Sequence, residues 1–301
     1  GPAPIADNEA APERSLFPAW LEPQLSSHSE AERAAMLDRA PLHVRINALK
    51  ATVDEGRAAF PDAKPIEGIF FGLALPEGTA LETMSAFQSG LVEIQDAGSQ
   101  LIALACDARP GMTVLDLCAG AGGKTLALAA DMAGEGRIIA ADTVRDRLSR
   151  LMPRAERAGA APIIETRLLN PDREMGTLAD LTDGCDVVLR DAPCSGSGPW
   201  RRHPEARWRL TPERIERIVA LQKHVLEIAA PLVKPGGRLV YAVCSVLDQE
   251  GRDQAEAFLK RHPGWQALSL GPQRRPHGPG TLLTPHRDGT DGFFFTVLQK
   301  P

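Results

Sequence analysis

Two cysteines stand at positions in this chain where a thiol can take part in catalysis. Cys194 follows the apolar run 185–189, and Cys244 comes directly after the apolar run 238–243. A thiolate that adds to carbon 6 of a pyrimidine makes carbon 5 nucleophilic enough to accept a methyl group. An acid near the ring nitrogen, here Asp191, would stabilise the charge that develops, and a base must later remove the proton from carbon 5. The two thiols and the carboxylate therefore predict covalent methylation of a pyrimidine ring.

The ordinary role of a cysteine is that of a small buried hydrophobe, and we expect this role for Cys106, Cys118 and Cys185. Cys194 and Cys244 differ from them because each follows an apolar run and adjoins small polar residues. An amino-group methyltransferase typically has an aromatic residue where Cys194 stands. The thiol at that place indicates methylation of carbon.

A glycine-rich turn upstream of both cysteines is suited to a nucleotide-like cofactor. The turn 119–123 follows an apolar run and precedes a helix-length segment, and its glycines allow backbone N–H groups to approach a ligand closely. Asp142 stands 22 residues after Gly120, at the offset of an acid that binds ribose hydroxyls. The ending Gly-Lys-Thr also resembles a phosphate-binding P-loop, but Cys118 occupies the place of that motif's first glycine. A merely tight turn is the third interpretation, and the context favours an adenosine cofactor.

The elements that must position these groups are short, continuously apolar runs, as strands buried on both faces of a parallel sheet require. Helix-length segments alternate with the runs, and the pattern predicts a doubly wound α/β sheet. A last run, 293–298, has no following helix and is predicted to be an edge-type strand. The other predicted strands are 114–117, 137–142, 161–164, 185–189 and 238–243, and the predicted helices are 124–133, 144–158 and 212–232.

The chain divides into three predicted regions. Residues 1–40 are a helical lead-in that begins with Gly1-Pro2, which has the form of a tag remnant. Residues 41–95 mix helical and strand-like pieces and are predicted to form a small α+β domain, and residues 96–301 form the catalytic domain. No apolar run approaches the length of a membrane span.

Composition restricts the class of protein. The 301 residues include five cysteines with no Cys-x-x-Cys spacing, which argues against a disulfide framework and against a zinc or other metal site. A reducing cytoplasm and a monomeric protein are expected. The net charge of −5 is a mild argument against a nucleic-acid partner.

The local distribution of charge, in contrast, favours a nucleic-acid partner. Between Arg201 and Arg217 there are six arginines and three glutamates. Arginine can pair with a phosphate in bidentate fashion, and an aromatic ring can stack on a base. Arg201, Arg202 and Trp208 are therefore the predicted RNA contacts, although Trp208 could instead anchor the loop in a core. Because a flipped base must be unstacked, unpaired RNA is the favoured substrate.

At these residues the chain resembles the RsmB/NSUN (Fmu/Sun) family of RNA (cytosine-5)-methyltransferases, and most closely its bacterial 16S rRNA branch. The resemblance extends over residues 41–299. It includes the segments 45–50, 95–100, 191–198 and 286–293, the glycine-rich turn, and Cys244-Ser245.

The resemblance implies a Rossmann-like class I methyltransferase fold with a smaller N-terminal RRM-like domain. It implies that Cys244 is the nucleophile, that Cys194 assists release of the product, and that Asp191 lies near both cofactor and cytosine. Asp142 would bind the ribose of S-adenosylmethionine. The implied cofactor-binding turn consists of Cys118, Ala119, Gly120, Ala121, Gly122, Gly123 and Lys124.

Three features depart from the family pattern. Val243 stands where the family usually has Thr, the third strand lacks the Asp that contacts adenine, and the N-terminal helical RNA-binding domain is absent from this sequence. Two alternatives follow. The same chemistry could act on tRNA or DNA, or the chain could be a catalytically impaired RNA-binding factor in ribosome assembly.

Overall fold

The chain forms two β-sheets, which we describe from a computed structural model that covers residues 15–271 and 275–301. The Gly1-Pro2 tag prediction lies outside these residues. Among the described residues, the strands of residues 41–95 form a four-stranded sheet and those of residues 96–301 form a nine-stranded sheet, and we call these regions the small and the large domain. No helix in these two ranges is long and apolar enough to cross a membrane.

The N-terminal segment packs on the large domain. Its helix α1 (Glu30–Ala35) begins with a capping box, in which Ser29 and Glu32 each accept a backbone hydrogen bond from the other. Apolar side chains of this segment, among them Phe17, share a core with the buried ring of Trp200. The segment is thus more than a lead-in, because it supports the loop that follows Cys194.

The small domain has the succession β-α-β-β-α-β. Its strands form an antiparallel sheet in the order β2-β3-β1-β4. Alternate side chains, such as Val44, Leu73 and Val92, make its core. This is the succession of a split βαβ unit, and the RRM-like assignment stays a prediction. The elements are β1 (Leu42–Ile46), α2 (Val53–Ala58), β2 (Lys64–Ile66), β3 (Ile69–Leu75), α3 (Ser85–Gln88) and β4 (Val92–Ile94).

The large sheet has a parallel centre and an antiparallel side. The strand order is β11-β12-β13-β9-β8-β5-β6-β7, with β10 paired to β13. Strands β5 to β9 run parallel to one another, whereas β13 is antiparallel to β9. The strands are β5 (Thr113–Leu117), β6 (Arg137–Asp142), β7 (Ile164–Leu168), β8 (Cys185–Asp191), β9 (Val233–Val243), β10 (Gln266–Ala267), β11 (Pro276–His277), β12 (Gly280–Leu283) and β13 (Phe293–Gln299).

Helices cover both faces of this sheet, and two apolar cores result, one on each side. The chain order of the strands reverses between β5 and β8, and ligands of open α/β sheets bind at the carboxyl ends of strands beside such a point. The helices are α4 (Ala97–Ala105), α5 (Gly123–Asp131), α6 (Arg145–Leu148), α7 (Leu151–Ala158), α8 (Glu174–Leu178), α9 (Pro212–Ala229), α10 (Arg252–Arg261) and α11 (Pro285–Asp288).

Several predicted elements begin or end elsewhere. The strand predicted at 238–243 already begins at Val233, and the helix predicted at 212–232 ends at Ala229. The segment 144–158 is two helices, because Pro153 has no N–H to donate to the carbonyl of Ser149. The third parallel strand, predicted at 161–164, starts only at Ile164, because Ala161–Ile163 forms a 3-10 turn that contains Pro162.

The last strand was predicted to lie at an edge, and this was wrong. Strand β13 lies between β9 and β12 and also pairs with β10. The outer strands escaped prediction because β10 and β11 have two residues each and β12 has four. Runs this short carry no periodicity that a sequence pattern could reveal.

Candidate active site

The structure brings the two cysteines together. Strands β8 and β9 are parallel neighbours, with Asp191 opposite Ala242, so both cysteines leave the same edge of the sheet. The Sγ atoms of Cys194 and Cys244 lie 3.1 Å apart, and both residues are partly buried. The loop after Cys194 is also hydrogen-bonded to the end of β9, because the Gly198 N–H donates to the Cys244 carbonyl at 3.0 Å.

Asp191 lies at the same edge and is paired with Lys124, a residue of the first turn of α5. Lys124 Nζ donates to Asp191 Oδ2 at 2.7 Å, and 30% of the Asp191 side chain stays exposed. Burial acts to lower the pKa of Lys124, but the neighbouring Asp191 carboxylate outweighs it and raises this pKa, and Cys244 acts in the same direction. A carboxylate, an ammonium and two thiols thus share one crevice.

The glycine-rich turn bends sharply between β5 and α5. Cys118, Gly120 and Gly122 have φ angles of 94°, 55° and 86°, in the left-handed region. Arg190 fixes the first bend, because its guanidinium is buried, donates to the Leu117 carbonyl at 2.7 Å and contacts Cys118 Sγ. The strained conformation is therefore built into the core beneath the turn.

The turn has the features that an adenosine cofactor needs. Asp142, at the end of β6, accepts from the Gly120 N–H at 2.8 Å and from the Val144 N–H at 2.7 Å, so its carboxylate has a fixed orientation beside the turn. A Cβ built on Gly123 would meet no atom within 4 Å, so the N-terminal end of α5 is open to a ligand. Helix N-termini favour negatively charged groups.

The P-loop interpretation does not agree with this geometry. Lys124 points to Asp191, and the Thr125 hydroxyl donates to buried Asp116 at 2.6 Å. In a P-loop these two side chains would face phosphates and a magnesium ion. The described ranges also contain no cluster of three or more His, Cys, Asp or Glu residues suited to a metal.

Contacts that the sequence did not predict tie the turn to the small domain. Arg154 on α7 donates to the Ala121 carbonyl at 2.7 Å and to Glu93 on β4 at 2.9 Å. Gln95, just after β4, donates to the Gly123 carbonyl at 3.2 Å. The Glu93 side chain is only 3% exposed and also pairs with Arg157. The small domain thereby supports the glycine-rich turn directly.

The three predicted RNA contacts differ in their surroundings. The Arg201 side chain is 5% exposed and binds Asp291 at 2.5 Å and Asp96 at 3.4 Å. It acts as an internal tether, which departs from the prediction that it contacts RNA. Arg202 binds the same two carboxylates but is 33% exposed. Trp208 is 45% exposed, and the guanidinium of its neighbour Arg207 lies 5.1 Å from the ring centroid.

The tryptophan that anchors this loop is Trp200, which is fully buried. Trp208 therefore does not have the anchoring role that the sequence left open for it, and its ring is available at the surface. Its contact with RNA remains a prediction.

Comparisons with known proteins agree with this architecture. A family model described as 16S rRNA methyltransferase RsmB/F matches residues 103–299. The ribosomal RNA small subunit methyltransferase B of Pectobacterium carotovorum is 33% identical, over 95% of this chain and 66% of that protein. The protein of the same name from Salmonella newport is 34% identical, over 95% of this chain and 67% of that protein. The chain thus spans about two thirds of the length of these relatives.

Solved structures give the same result. The crystal structure of PH0851 is 31% identical with a TM-score of 0.89, covering 98% of this chain and 70% of that chain. A methyltransferase homolog from Pyrococcus horikoshii is 27% identical with a TM-score of 0.78, covering 90% of each chain. These matches confirm the Rossmann-like methyltransferase fold, and the matched family confirms S-adenosylmethionine as the cofactor. The chain belongs to the RsmB/F family of methyltransferases.

Proposed function

We propose that the protein methylates carbon 5 of a cytosine in RNA through a covalent adduct between Cys244 and the base. The observation that carries this proposal is the pair of Sγ atoms 3.1 Å apart at the ends of adjacent strands. Asp191 lies at the same edge of the sheet. One thiol can attack the ring while the other serves a later step. A cysteine with only a structural role would not need a second thiol beside it.

Cys244 is the proposed nucleophile. Its thiolate adds to carbon 6 of the cytosine, and the electrons of the carbon 5–carbon 6 double bond move toward carbon 5. Lys124 favours this step electrostatically, because its ammonium acts on the crevice where Cys244 lies. S-adenosylmethionine, when bound, supplies the methyl group that carbon 5 takes up.

Cys194 is the proposed residue for release of the product. After methylation, carbon 5 still carries its proton, and a base must accept that proton before the Cys244–carbon 6 bond can break. The pKa of Cys194 is raised well above its ordinary value, first by its hydrogen bond with Cys244 and then by burial. A thiol with a high pKa stays protonated in the resting enzyme, and Cys194 therefore does not compete with Cys244 for the ring. Once the Cys244 sulfur is bonded to carbon 6, its hydrogen bond no longer raises the pKa of Cys194, and Cys194 can release its own proton to water. The Cys194 thiolate then takes the proton from carbon 5, the carbon 5–carbon 6 double bond re-forms, and Cys244 leaves as a thiolate.

Asp191 is the proposed residue that holds the base. Its Oδ2 accepts from Lys124, while the exposed part of the carboxyl group can face a ligand in the crevice. With a proton on its other oxygen, Asp191 can donate a hydrogen bond to the ring nitrogen and stabilise the negative charge that the attack creates. Lys124 keeps Asp191 in the required orientation.

The residues of the turn fit S-adenosylmethionine. Its carboxylate would lie near the open N-terminus of α5, where Gly122, Gly123 and Lys124 stand. Asp142 would accept hydrogen bonds from the ribose hydroxyls. The rest of the proposed cofactor-binding segment is Cys118, Ala119, Gly120 and Ala121.

We infer that the RNA is small-subunit rRNA, because the matched relatives carry the name ribosomal RNA small subunit methyltransferase B. The partly exposed Arg202 and the exposed Trp208 lie on the loop that follows Cys194. Stacking on Trp208 and phosphate pairing by nearby arginines would hold a single strand beside the crevice. An unpaired cytosine is favoured because less stacking energy is lost when it enters the site.

Variants of the two cysteines test the proposal. With in vitro transcribed small-subunit rRNA and S-adenosylmethionine, Cys244→Ala should abolish the formation of 5-methylcytosine. Cys194→Ala should trap a covalent protein–RNA complex that survives denaturing electrophoresis. Cys185→Ala is the matched control, because that thiol is buried in β8, away from the crevice, and should leave methylation intact. Normal activity of Cys244→Ala, or 5-methylcytosine absent from every RNA offered to the wild type, would overturn the proposal.

A further inference from the structure

A buried carboxylate, Glu250, lies beneath the two cysteines. The residue has no exposed surface, and its side chain accepts four hydrogen bonds. The donors to Oε1 are the Ser195 N–H at 2.7 Å and Gln222 Nε2 at 3.1 Å. The donors to Oε2 are the hydroxyls of Ser195 and Ser245, both at 2.5 Å. Burial of a carboxylate is costly unless it is satisfied in this way.

The two serines that bind Glu250 are the immediate neighbours of the two cysteines. Ser195 follows Cys194 on the loop after β8, and Ser245 follows Cys244 after β9. One carboxylate therefore holds both Cys-Ser dipeptides, although they are about 50 residues apart in sequence. Its position fixes one loop relative to the other.

The carboxylate itself is held from a third element. Gln222 on α9 donates both to Glu250 and to the Pro193 carbonyl, one residue before Cys194, at 3.0 Å. The Tyr241 hydroxyl donates to the Glu250 backbone carbonyl at 2.5 Å. Within the described part of the chain, none of the ion pairs includes Glu250, and the donors to its carboxylate are the neutral groups of Ser195, Ser245 and Gln222.

We propose that Glu250 is a positioning residue of the proposed methyl transfer, which holds Cys194 and Cys244 side by side and places a fixed negative charge beside Cys194. The role of Glu250 in methyl transfer rests on the proposed function, whereas its positioning of the two cysteines rests on the hydrogen-bond geometry alone. The charge acts on Cys194 in the same direction as the thiol–thiol hydrogen bond and burial, and all three raise the pKa of Cys194. The titratable groups that face Cys194 are Cys244, Glu250 and Tyr241.

Two substitutions separate charge from geometry. Glu250→Gln keeps an oxygen at one position and puts an amide at the other, where the serine hydroxyls can rotate and accept. It removes the charge and keeps the hydrogen bonds that join the side chain at position 250 to both serines. Glu250→Ala removes both the charge and the acceptor of four buried hydrogen bonds. Glu216→Gln, an exposed glutamate on the same helix as Gln222, is the matched control.

The experiment measures the iodoacetamide alkylation rate of each cysteine against pH, by mass spectrometry of the tryptic peptides 191–201 and 239–252. This readout needs neither RNA nor methylation. In Glu250→Gln, Cys194 should alkylate roughly tenfold faster near neutral pH, because removal of the negative charge lowers the pKa of this thiol. Methyl transfer should fall in kcat, while the KM for S-adenosylmethionine stays unchanged. In Glu250→Ala, kcat should fall roughly 100-fold, because the reacting groups are displaced.

The outcomes of the inference and of the proposed function are distinguishable. If the wild type methylates no RNA but the alkylation of Cys194 depends on Glu250 as described, the proposed function fails and the structural part of the inference stands. If Glu250→Gln and Glu250→Ala are folded and match Glu216→Gln in alkylation and kcat, the inference is overturned. Should both variants unfold, Ser195→Ala keeps the charge and removes one hydrogen bond between Glu250 and the loop that carries Cys194. The alkylation rate of Cys194 must then change, because the loop is held less tightly; an unchanged rate refutes the inference.

Discussion

The contact between Gly198 and Gly292 predicts that a single methyl group will disable the site. A Cβ on Gly198 would lie 1.8 Å from the Gly292 carbonyl oxygen and 3.0 Å from the Cys244 carbonyl carbon. A carbon and an oxygen in ordinary contact lie roughly 3.3 Å apart, so the two backbones must separate by about 1.5 Å. The Gly198 N–H donates to the Cys244 carbonyl, and therefore this movement separates the Cys194 loop from the strand end that carries Cys244.

The size of the effect follows from that displacement. A misplacement of about 1 Å can reduce the rate about 100-fold, which corresponds to about 2.7 kcal/mol of transition-state stabilisation. We therefore expect Gly198→Ala to lower single-turnover methyl transfer to small-subunit rRNA by at least roughly 100-fold. Affinity for S-adenosylmethionine, measured by calorimetry, should not change, because the glycine-rich turn does not contact Gly198.

Gly176→Ala is the control for this prediction. Gly176 lies in α8, and a Cβ there would meet no atom within 4 Å. Its activity should match that of the wild type. A folded Gly198→Ala protein with a transfer rate within about threefold of the control would refute the reasoning. Either the loop would not have moved, or methyl transfer would not depend on its position.

Three further predictions concern the glycine-rich turn, the sheet beneath it and the exposed ring of Trp208. Glu93→Gln should weaken binding of S-adenosylmethionine roughly tenfold, because Arg154 loses the charged partner that directs it to the Ala121 carbonyl; calorimetry that gives an unchanged affinity contradicts this. Burial raises the pKa of Asp116 to about 6, so the folded state holds this proton more tightly than the unfolded chain, and the contribution of Asp116 to stability falls as pH rises from about 4 to about 6. In urea unfolding at pH 4.5 and 7.5, Asp116→Asn should therefore change the difference in stability between the two pH values by about 2 kcal/mol in favour of the higher pH, and an identical difference in both proteins would count against it. Trp208→Ala should raise the KM for RNA roughly tenfold and leave kcat unchanged, as loss of one stacked base predicts, whereas an unchanged KM would exclude stacking at this ring.

The central sheet and the reacting groups could be predicted from sequence because their signals are local. Strands buried on both faces need continuous apolar runs, and such runs mark β5, β6, β8 and the second half of β9. Cys194 and Cys244 stand just beyond two of these runs, and neighbouring parallel strands bring their carboxyl ends together. The turn around Gly120 is equally local, since its glycines adopt conformations that few other residues tolerate.

The contacts that support the site could not be predicted in this way. Glu250 meets Ser195 and Gln222, which are 55 and 28 residues away in sequence, and nothing near Glu250 marks it as buried. The same holds for Glu93, whose partner Arg154 is 61 residues distant. Arg201 was predicted to bind RNA because its charge is visible in the sequence, whereas its partners Asp96 and Asp291 become neighbours only on folding.

The most direct test of the account is to find which sulfur bonds to the base. Cys194→Ala is incubated with small-subunit rRNA and S-adenosylmethionine, the RNA is digested to nucleotides, and the tryptic peptides are analysed by mass spectrometry. The account predicts a methylated cytidine nucleotide on the peptide 239–252, attached to Cys244. No such adduct in any digest, or a methylated nucleotide attached to a cysteine other than Cys244, would contradict it.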